Sequence, residues 1–275
     1  MIELIYLTNI INEVKIVDDL SIDWVFCDLE YIGKNIRQKG RDTIISKHSL
    51  KDVKNISSVI KNSKLIVRTN PIGEWSANEL NALRKIPKID MLMLPYFKEV
   101  NEVERFLELI YYHDSEPCLL IETMGAINNL DKILDLYEFK YVHIGLNDIH
   151  IERKTNSMFE PFVDGLLDKI SKILLNKKQK FGIGGIGKID LNLKPSAESI
   201  LIEHKRLGSE GVILSRTFKG VFNNDVASFS KQLENSINDL RKAEKRILNY
   251  SNDKIQGNRK VMLNDLELLK AQKNM

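Results

Sequence analysis

Short apolar runs recur along the first 220 residues, and polar or helix-forming segments separate them. The runs are continuous rather than alternating, which is typical of strands in a parallel sheet that is buried on both faces. Segments with helical periodicity follow most of the runs, and residues 100–112 and 125–137 are clear examples. The pattern predicts strands at about residues 2–8, 23–29, 64–69, 90–95, 117–122, 141–146, 181–186 and 211–216.

Eight strand–helix repeats in a chain of 275 residues favour the α/β class and a closed (β/α)8 TIM barrel. The alternative is an open doubly wound sheet of about five to seven strands, which would hold if one strand is over-assigned. We predict that residues 1–222 form the barrel as a catalytic domain and that residues 223–275 form C-terminal helices.

The strand–helix alternation ends near residue 220, and a helical apolar stripe continues from Phe229 to Ile247. This stripe predicts one long amphipathic helix, then a break near residues 252–257 and a second helix at about 260–272. Two interpretations remain open. The segment is either the eighth barrel helix with a solvated tail or an arm that packs on another subunit of a homo-oligomer.

Composition narrows the class of protein, because 43% of the residues are apolar and 29% are charged, as in globular chains with a large core. The net charge of +3 is too weak to favour a nucleic-acid partner. Cys27 and Cys118 lie inside apolar runs without C-x-x-C spacing, which fits a reduced protein. Since the sequence shows neither a membrane span nor a signal peptide, we expect a cytoplasmic protein without a membrane partner.

Charged side chains stand at the ends of the predicted strands, where (β/α)8 barrels carry their chemistry. They include Asp28 after strand two, Arg68 after strand three, Glu122 after strand five and Asp148 after strand six. Converging carboxylates without thiols or paired histidines suit a hard cation such as Mg2+ or Mn2+. Such an ion could polarise a carbonyl, while an arginine stabilises the enolate oxygen. The alternative is that Glu122 and Asp148 only cap the helices that follow them.

Four segments also resemble motifs of the HpcH/HpaI aldolase and citrate lyase β-subunit family. Residues 28–37 are similar to its DLED…K..AR stretch, 67–70 to VRVN, 120–123 to IET and 144–148 to G-x-x-D. The resemblance covers about residues 20–150 in the family's order and spacing. Each motif alone is unspecific, so the ordered set carries the resemblance.

The resemblance implies a metal-dependent barrel that makes or breaks a carbon–carbon bond through a pyruvate- or acetyl-type enolate. By position, Glu122 and Asp148 would bind the metal, and Arg68 would hold the carbonyl or enolate oxygen. Asp28 would lie near the metal and its waters. The substrate would be a small anion, either an oxo-acid or an acyl-CoA-type molecule.

Position 31 departs from the family pattern, because Tyr31 stands where the aldolase branch has a histidine and the citrate lyase branch an aspartate. The aldolase route of proton transfer is therefore in doubt. We predict that His150, in a loop two residues after Asp148, replaces that histidine as general base. His48 and Tyr31 are weaker alternatives, and a structural role for His150 stays open.

A glycine-rich segment at residues 182–187 contains a literal G-x-G-x-x-G. It falls at the seventh predicted strand and not in the first strand–helix unit, and it lacks the acidic residue about 20 positions further on, so a dinucleotide site is disfavoured. Loops after strands seven and eight of barrels often bind phosphate. We therefore predict that Gly184, Gly185 and Arg216 contact an anionic group of the substrate. The alternative is a tight turn that needs small residues.

A basic loop follows the second strand and contains Lys34, Arg37, Lys39 and Arg41. A solvated loop is the favoured interpretation, although these side chains could clamp an acidic substrate or a CoA phosphate. Two functions other than a lyase also stay open. One is a phosphosugar-processing metal-dependent barrel, and the other is a catalytically inactive barrel that binds a metabolite or a protein partner.

Overall fold

The computed structural model describes residues 1–37, 48–219 and 225–273 of the chain. Within these residues, eight parallel strands pair in chain order, and the eighth closes on the first to form a barrel. The strands are β1 (Glu3–Leu7), β2 (Trp24–Asp28), β3 (Lys64–Arg68), β4 (Met91–Leu94), β5 (Glu116–Ile121), β6 (Tyr141–Ile144), β7 (Phe181–Ile186) and β8 (Gly211–Leu214). Each corresponds to one predicted strand, so the (β/α)8 barrel is confirmed.

Helices connect the strands and cover the outside of the barrel. They are α1 (Ile11–Asp19), α2 (Lys34–Arg37), α3 (Leu50–Val59), α4 (Ser76–Leu83), α5 (Val100–Ile110), α6 (Met124–Asn128), α7 (Leu130–Leu134), α8 (Leu146–Arg153), α9 (Leu166–Asn176), α10 (Ala197–Leu207), α11 (Val226–Leu248) and α12 (Asn252–Lys273). Short 3-10 turns lie at Glu160–Phe162 and Arg216–Phe218. Among the described residues, no helix has both the length and the apolar character that a membrane crossing requires.

Side chains alternate across each strand, and this alternation separates two apolar cores. In β2, Trp24 and Phe26 join a core inside the barrel, whereas Val25 and Cys27 pack in the larger core between strands and helices. The next inward position is Asp28, at the carboxyl end of the strand. The same alternation that fills the barrel with apolar groups therefore delivers a carboxylate to its mouth.

A phenol–imidazole pair fills the barrel between β6, β7 and β8. The Tyr141 hydroxyl lies 2.9 Å from Nδ1 of His143, and Nε2 of His143 lies 3.1 Å from the carbonyl oxygen of Gly184. Burial lowers the pKa of His143 to about 4, so the ring is neutral and donates to that carbonyl through Nε2. A Cβ at Gly182 would lie 1.9 Å from the Tyr141 hydroxyl oxygen. Gly182 is thus required by packing.

The helix predicted over residues 125–137 is interrupted at Asn129, which separates α6 from α7. The backbone there leaves the helical region, with φ −96° and ψ 4°. The Asn129 side chain donates a hydrogen bond of 3.1 Å to the carbonyl oxygen of Lys98. Such bonds from side chain to backbone compete with a continuous helix.

The two C-terminal helices differ from the prediction in where they meet, because α12 begins at Asn252 and not near residue 260. The Ser251 hydroxyl accepts a hydrogen bond of 3.3 Å from the backbone N–H of Lys254 and caps α12. Helix α12 docks on α10 through Asn258, whose amide donates to the Ser199 carbonyl at 2.9 Å. The expected domain boundary after residue 222 lies outside the described residues, and the oligomer arm stays a prediction.

We expect the Gly182→Ala substitution to destabilise the barrel by about 3 kcal/mol, because the new methyl group overlaps the Tyr141 hydroxyl. Gly257→Ala is the matched control, since nothing lies within 4 Å of a Cβ in that part of α12. It should raise the free energy of unfolding by about 1 kcal/mol. Urea unfolding followed by circular dichroism measures both. Adding Tyr141→Phe to Gly182→Ala should recover part of the loss, and an unchanged stability of Gly182→Ala would contradict this packing.

Candidate active site

Seven charged side chains meet at the carboxyl ends of β2, β3, β5 and β6. They are the carboxylates Asp28, Glu30, Glu122 and Asp148 and the cations Lys34, Arg37 and Arg68. All four carboxylates are at most 5% exposed. Ionised groups are costly to bury unless they are paired, so the contacts within this cluster determine what it can do.

Asp28 and Arg68 form a bidentate ion pair across neighbouring strands, at Cα positions that the register of β2 and β3 places side by side. The Nε of Arg68 lies 2.8 Å from one Asp28 oxygen, and its Nη2 lies 2.7 Å from the other. Burial alone would raise the pKa of Asp28, but Arg68 and Lys34 outweigh it and hold the pKa well below the usual range. Asp28 is therefore a fixed carboxylate that orients a guanidinium.

Lys34 is buried between two carboxylates, although its loop was expected to be solvated. Its ammonium nitrogen lies 3.0 Å from Oδ2 of Asp28 and 3.1 Å from Oε2 of Glu30. The short helix α2 turns this residue back over the strand end. The other two basic residues of the predicted loop, Lys39 and Arg41, lie outside the described residues.

Arg37 lies at the far end of α2 and reaches two strands at once. Its Nη2 lies 2.5 Å from Oε1 of Glu30 and 3.5 Å from Oδ2 of Asp148. The ring of Tyr96 covers the guanidinium, with 3.7 Å between the guanidinium carbon and the ring centroid. Tyr96 has a φ of +50°, and its backbone N–H donates a 3.0 Å hydrogen bond to Oε1 of Glu122. Tyr96 thus links Arg37 to the carboxylate at the end of β5.

Glu122 is the least compensated carboxylate of the cluster. Burial raises its pKa well above the ordinary value, and repulsion from Glu30 and Asp148 raises it further, although Arg68 and Arg37 oppose the shift. Among the described residues, Oδ1 of Asp148 is buried without a hydrogen-bond partner, whereas Oε2 of Glu30 lies 3.1 Å from the Lys34 ammonium nitrogen and 3.4 Å from Nη1 of Arg68. The cluster therefore has an unpartnered acceptor oxygen on the Asp148 side.

An unpartnered carboxylate oxygen is the type of donor that a divalent cation prefers. Mg2+ prefers oxygen ligands and is commonly held by one or two carboxylates together with water and substrate oxygens. The described residues contain no set of three or more histidine, cysteine or carboxylate side chains arranged to hold a metal. A metal ion here would thus find fewer than three such ligands among the described residues, with the other positions left to water or substrate.

The structure corrects the expected position of His150, which lies within helix α8 and not in a loop. A step of two residues along a helix turns the side chain by about 200°, so His150 leaves α8 on the face opposite to Asp148. Its Nδ1 lies 2.7 Å from the hydroxyl of Thr155. The geometry therefore gives no support to His150 as the general base beside Asp148.

The two weaker candidates for proton transfer lie in different surroundings. Tyr31 is 60% exposed, and its backbone N–H donates to Oδ1 of Asn70 at 3.0 Å. The Nδ1 of His48 accepts a 3.0 Å hydrogen bond from the backbone N–H of Asp28. His48 therefore supports the end of β2 from outside the barrel, and that nitrogen is already engaged.

The glycines within β7 have packing roles that account for them without a ligand. Gly184 has a φ of +47°, and a Cβ there would lie 2.7 Å from a methyl carbon of Leu146. A Cβ at Gly185 would lie 3.2 Å from the carbonyl oxygen of Ile213. Arg216 is exposed in its 3-10 turn. The anion site at Gly184, Gly185 and Arg216 stays a prediction.

Three members of the cluster were not predicted as site residues: Glu30, Lys34 and Arg37. Glu30 was detectable, because it lies two positions after Asp28 and period-two alternation returns it to the same face. The two cations lie on α2, which is only four residues long and too short for any periodicity to reveal which side faces the mouth.

No protein-family model matches the sequence, and no curated protein matches it. Solved structures share the fold. An HpcH/HpaI aldolase/citrate lyase family protein from Burkholderia cenocepacia aligns with a TM-score of 0.58 and 12% identity, over 88% of this chain and 93% of that one. An HpcH/HpaI aldolase from Desulfitobacterium hafniense aligns with a TM-score of 0.58 and 12% identity, over 91% of this chain and 94% of that one. The citrate synthase SbnG aligns with a TM-score of 0.57 and 11% identity, over 89% of this chain and 94% of that one.

At these identities the likeness shows the fold alone. The neighbours nevertheless include proteins of the family that the motifs resemble, and they cover most of the chain. The resemblance drawn from four short motifs and the likeness of the whole barrel thus agree.

We expect Glu122→Gln to stabilise the metal-free protein at neutral pH. When folding raises the pKa of a carboxyl group, the protein is most stable at pH values below the pKa of that group in the unfolded chain. This stability is lost as the pH rises through the higher pKa of the folded protein. The neutral amide escapes this loss, so its advantage should appear above the ordinary carboxyl pKa of 4.5 and grow as the pH rises. Urea unfolding in chelating buffer measures it.

Glu116→Gln, at the opposite end of β5, is the matched control and should show no such growth. If the advantage of Glu122→Gln is constant or shrinks with pH, the repulsion assigned to Glu122 is wrong.

Proposed function

We propose that the chain is a divalent-metal-dependent carbon–carbon lyase or aldolase of the HpcH/HpaI aldolase and citrate lyase family. It would act through a pyruvate- or acetyl-type enolate. The observation that carries the proposal is the convergence of Asp28, Arg68, Glu122 and Asp148 at one mouth of the barrel. These four residues come from the four segments that resemble the family motifs, and structures of that family share the fold.

Glu122 and Asp148 would hold Mg2+ or Mn2+. Both are buried oxygen donors, and the surplus of carboxylate over partners on this side supplies the charge that such an ion needs. When bound, the ion supplies Lewis-acid polarisation of a carbonyl oxygen. The backbone N–H of Tyr96 orients Glu122 by its 3.0 Å hydrogen bond.

Arg68 would stabilise the enolate oxygen. Asp28 holds its Nε and Nη2, which fixes the plane of the guanidinium, while its Nη1 lies 3.4 Å from Oε2 of Glu30. A cation fixed in advance is suited to negative charge that develops during a reaction. Asp28 acts through Arg68 in this scheme and is a positioning residue.

The charge balance of the mouth favours an anionic substrate. Four carboxylates and three cations sum to a charge of −1 when all are ionised, and a divalent ion changes the sum to +1. An oxo-acid carboxylate, or the carboxylate or phosphate of a larger acyl-CoA-type substrate, would then enter a positive site. Its carbonyl oxygen would lie between Arg68 and the Glu122–Asp148 pair.

Glu122→Gln should weaken Mn2+ binding by about 100-fold or more, a loss typical of removing a charged ligand. Isothermal titration with Mn2+ measures this loss. Glu116→Gln, a carboxylate change at the other end of the same strand, should bind Mn2+ as the wild type does. Unchanged affinity in Glu122→Gln would remove Glu122 from the metal site.

With Mn2+, the protein should exchange the methyl protons of pyruvate or of another short oxo-acid with deuterium from the solvent. Arg68→Gln should slow the exchange by about 100-fold, the loss expected when one donor to a developing oxyanion is removed. Arg105→Gln, an exposed arginine on α5, is the control. Proton NMR measures the rate. Absence of exchange across a panel of oxo-acids would contradict the lyase assignment.

A further inference from the structure

Arg37 stands among the carboxylates that the proposed function gives to a metal ion. One of its nitrogens, Nη2, serves both Glu30 and Asp148, at 2.5 Å and 3.5 Å. Asp148 is one of the two candidate ligands. The guanidinium therefore neutralises, from within the chain, part of the negative charge that would attract a divalent ion.

The position of Arg37 is built by the surrounding side chains. The side chain is 11% exposed, and the face of Tyr96 covers the guanidinium at 3.7 Å. Glu30, which is fully buried, holds it by the shorter of its two ion pairs. Attraction to Glu122 and Asp148 adds to that of Glu30 and, despite burial, raises the pKa of Arg37.

The contact with Asp148 is the weaker of the two. At 3.5 Å it is a full ångström longer than the contact with Glu30. In the described structure, Nε of Arg37 and Oδ1 of Asp148 are both buried without a hydrogen-bond partner. The Arg37 side chain can thus lose its contact with Asp148 while its ion pair with Glu30 remains. Losing the Glu30 contact instead would break its strongest ion pair.

We propose that Arg37 is the resident cation of this carboxylate cluster and competes with divalent metal ions for Asp148. The inference rests on the proposed function, because it assumes that Glu122 and Asp148 are the metal ligands. A guanidinium and a divalent ion on one carboxylate repel each other at a distance of a few ångströms. Metal binding at Asp148 therefore weakens the Arg37–Asp148 contact, and each binding event weakens the other by the same factor.

The consequence is that Arg37 sets the affinity and the selectivity of the site. A monovalent cation carries the same charge as the guanidinium, so displacing Arg37 gains it no electrostatic attraction. Arg37 therefore disfavours binding of monovalent cations. A divalent ion gains from Glu122 and Asp148 together and displaces the guanidinium only at a cost in affinity. The arginine thus acts as a specificity-determining residue toward the metal.

The test compares Mn2+ binding by the full-length wild type and two variants that each lose one positive charge from α2. Arg37→Met removes the competitor and should tighten Mn2+ binding by about tenfold or more. Lys34→Met is the matched control, because among the described residues Lys34 pairs with Asp28 and Glu30 and not with Asp148. It should tighten Mn2+ binding less than Arg37→Met does, because its ion pairs are to Asp28 and Glu30. Isothermal titration and the electron paramagnetic resonance of free Mn2+ give the affinities.

Arg37→Lys keeps the charge and should bind Mn2+ as weakly as the wild type, and far-UV circular dichroism checks that every variant is folded. The inference is overturned if Arg37→Met binds no tighter than the wild type. It is equally overturned if Lys34→Met or Arg37→Lys tightens binding as much, since a general change in potential or a local rearrangement would then explain the effect.

Failure of the proposed function gives a different result. Glu122→Gln would then bind Mn2+ as the wild type does, and a protein that binds no Mn2+ in any variant overturns both proposals. If Glu122→Gln abolishes binding while Arg37→Met leaves it unchanged, only the role of Arg37 is lost.

Discussion

The ion pair between Asp28 and Arg68 is the contact on which the other buried charges of the barrel mouth depend. Arg68 compensates Asp28 directly and Glu30 at longer range. Without Arg68, the buried carboxylates of Asp28 and Glu30 would have only Lys34 and Arg37 as cationic partners. The usual penalty for an undercompensated buried charge would then lower the free energy of unfolding by several kcal/mol. The pair forms because the register of two adjacent strands aligns an acid with a base. The architecture of the sheet therefore determines the electrostatics of the site.

Strand alternation explains why the charges collect at one end. Inward positions of β2, β3 and β5 carry large apolar side chains deep in the barrel, namely Phe26, Ile66 and Leu120. Two residues further on, the same face carries Asp28, Arg68 and Glu122. The apolar layer removes water from beneath the charges, which strengthens every interaction above it. The apolar core and the polar mouth are thus successive layers of one pattern.

The strands and the four motif residues could be predicted from the sequence, because continuous apolar runs and strand-end charges are local signals. The orientation of His150 could not, because it depends on where α8 begins. That helix starts at Leu146, one residue after Gly145, and so His150 is helical and turned from the mouth. Lys34 and Arg37 were discounted for a similar reason. Charge and hydrophobicity alone do not distinguish a solvated loop from a short helix folded back over a strand end.

The pair formed by Tyr141 and His143 has a consequence for traffic through the barrel. The phenol and the neutral imidazole satisfy each other and the Gly184 carbonyl, and both lie in the packed interior. An imidazole with a pKa of about 4 is neutral at neutral pH. The packed side chains of the barrel interior therefore separate the carboxylates from the opposite end of the barrel. In the proposed reaction, substrate and product would both pass through the carboxylate end.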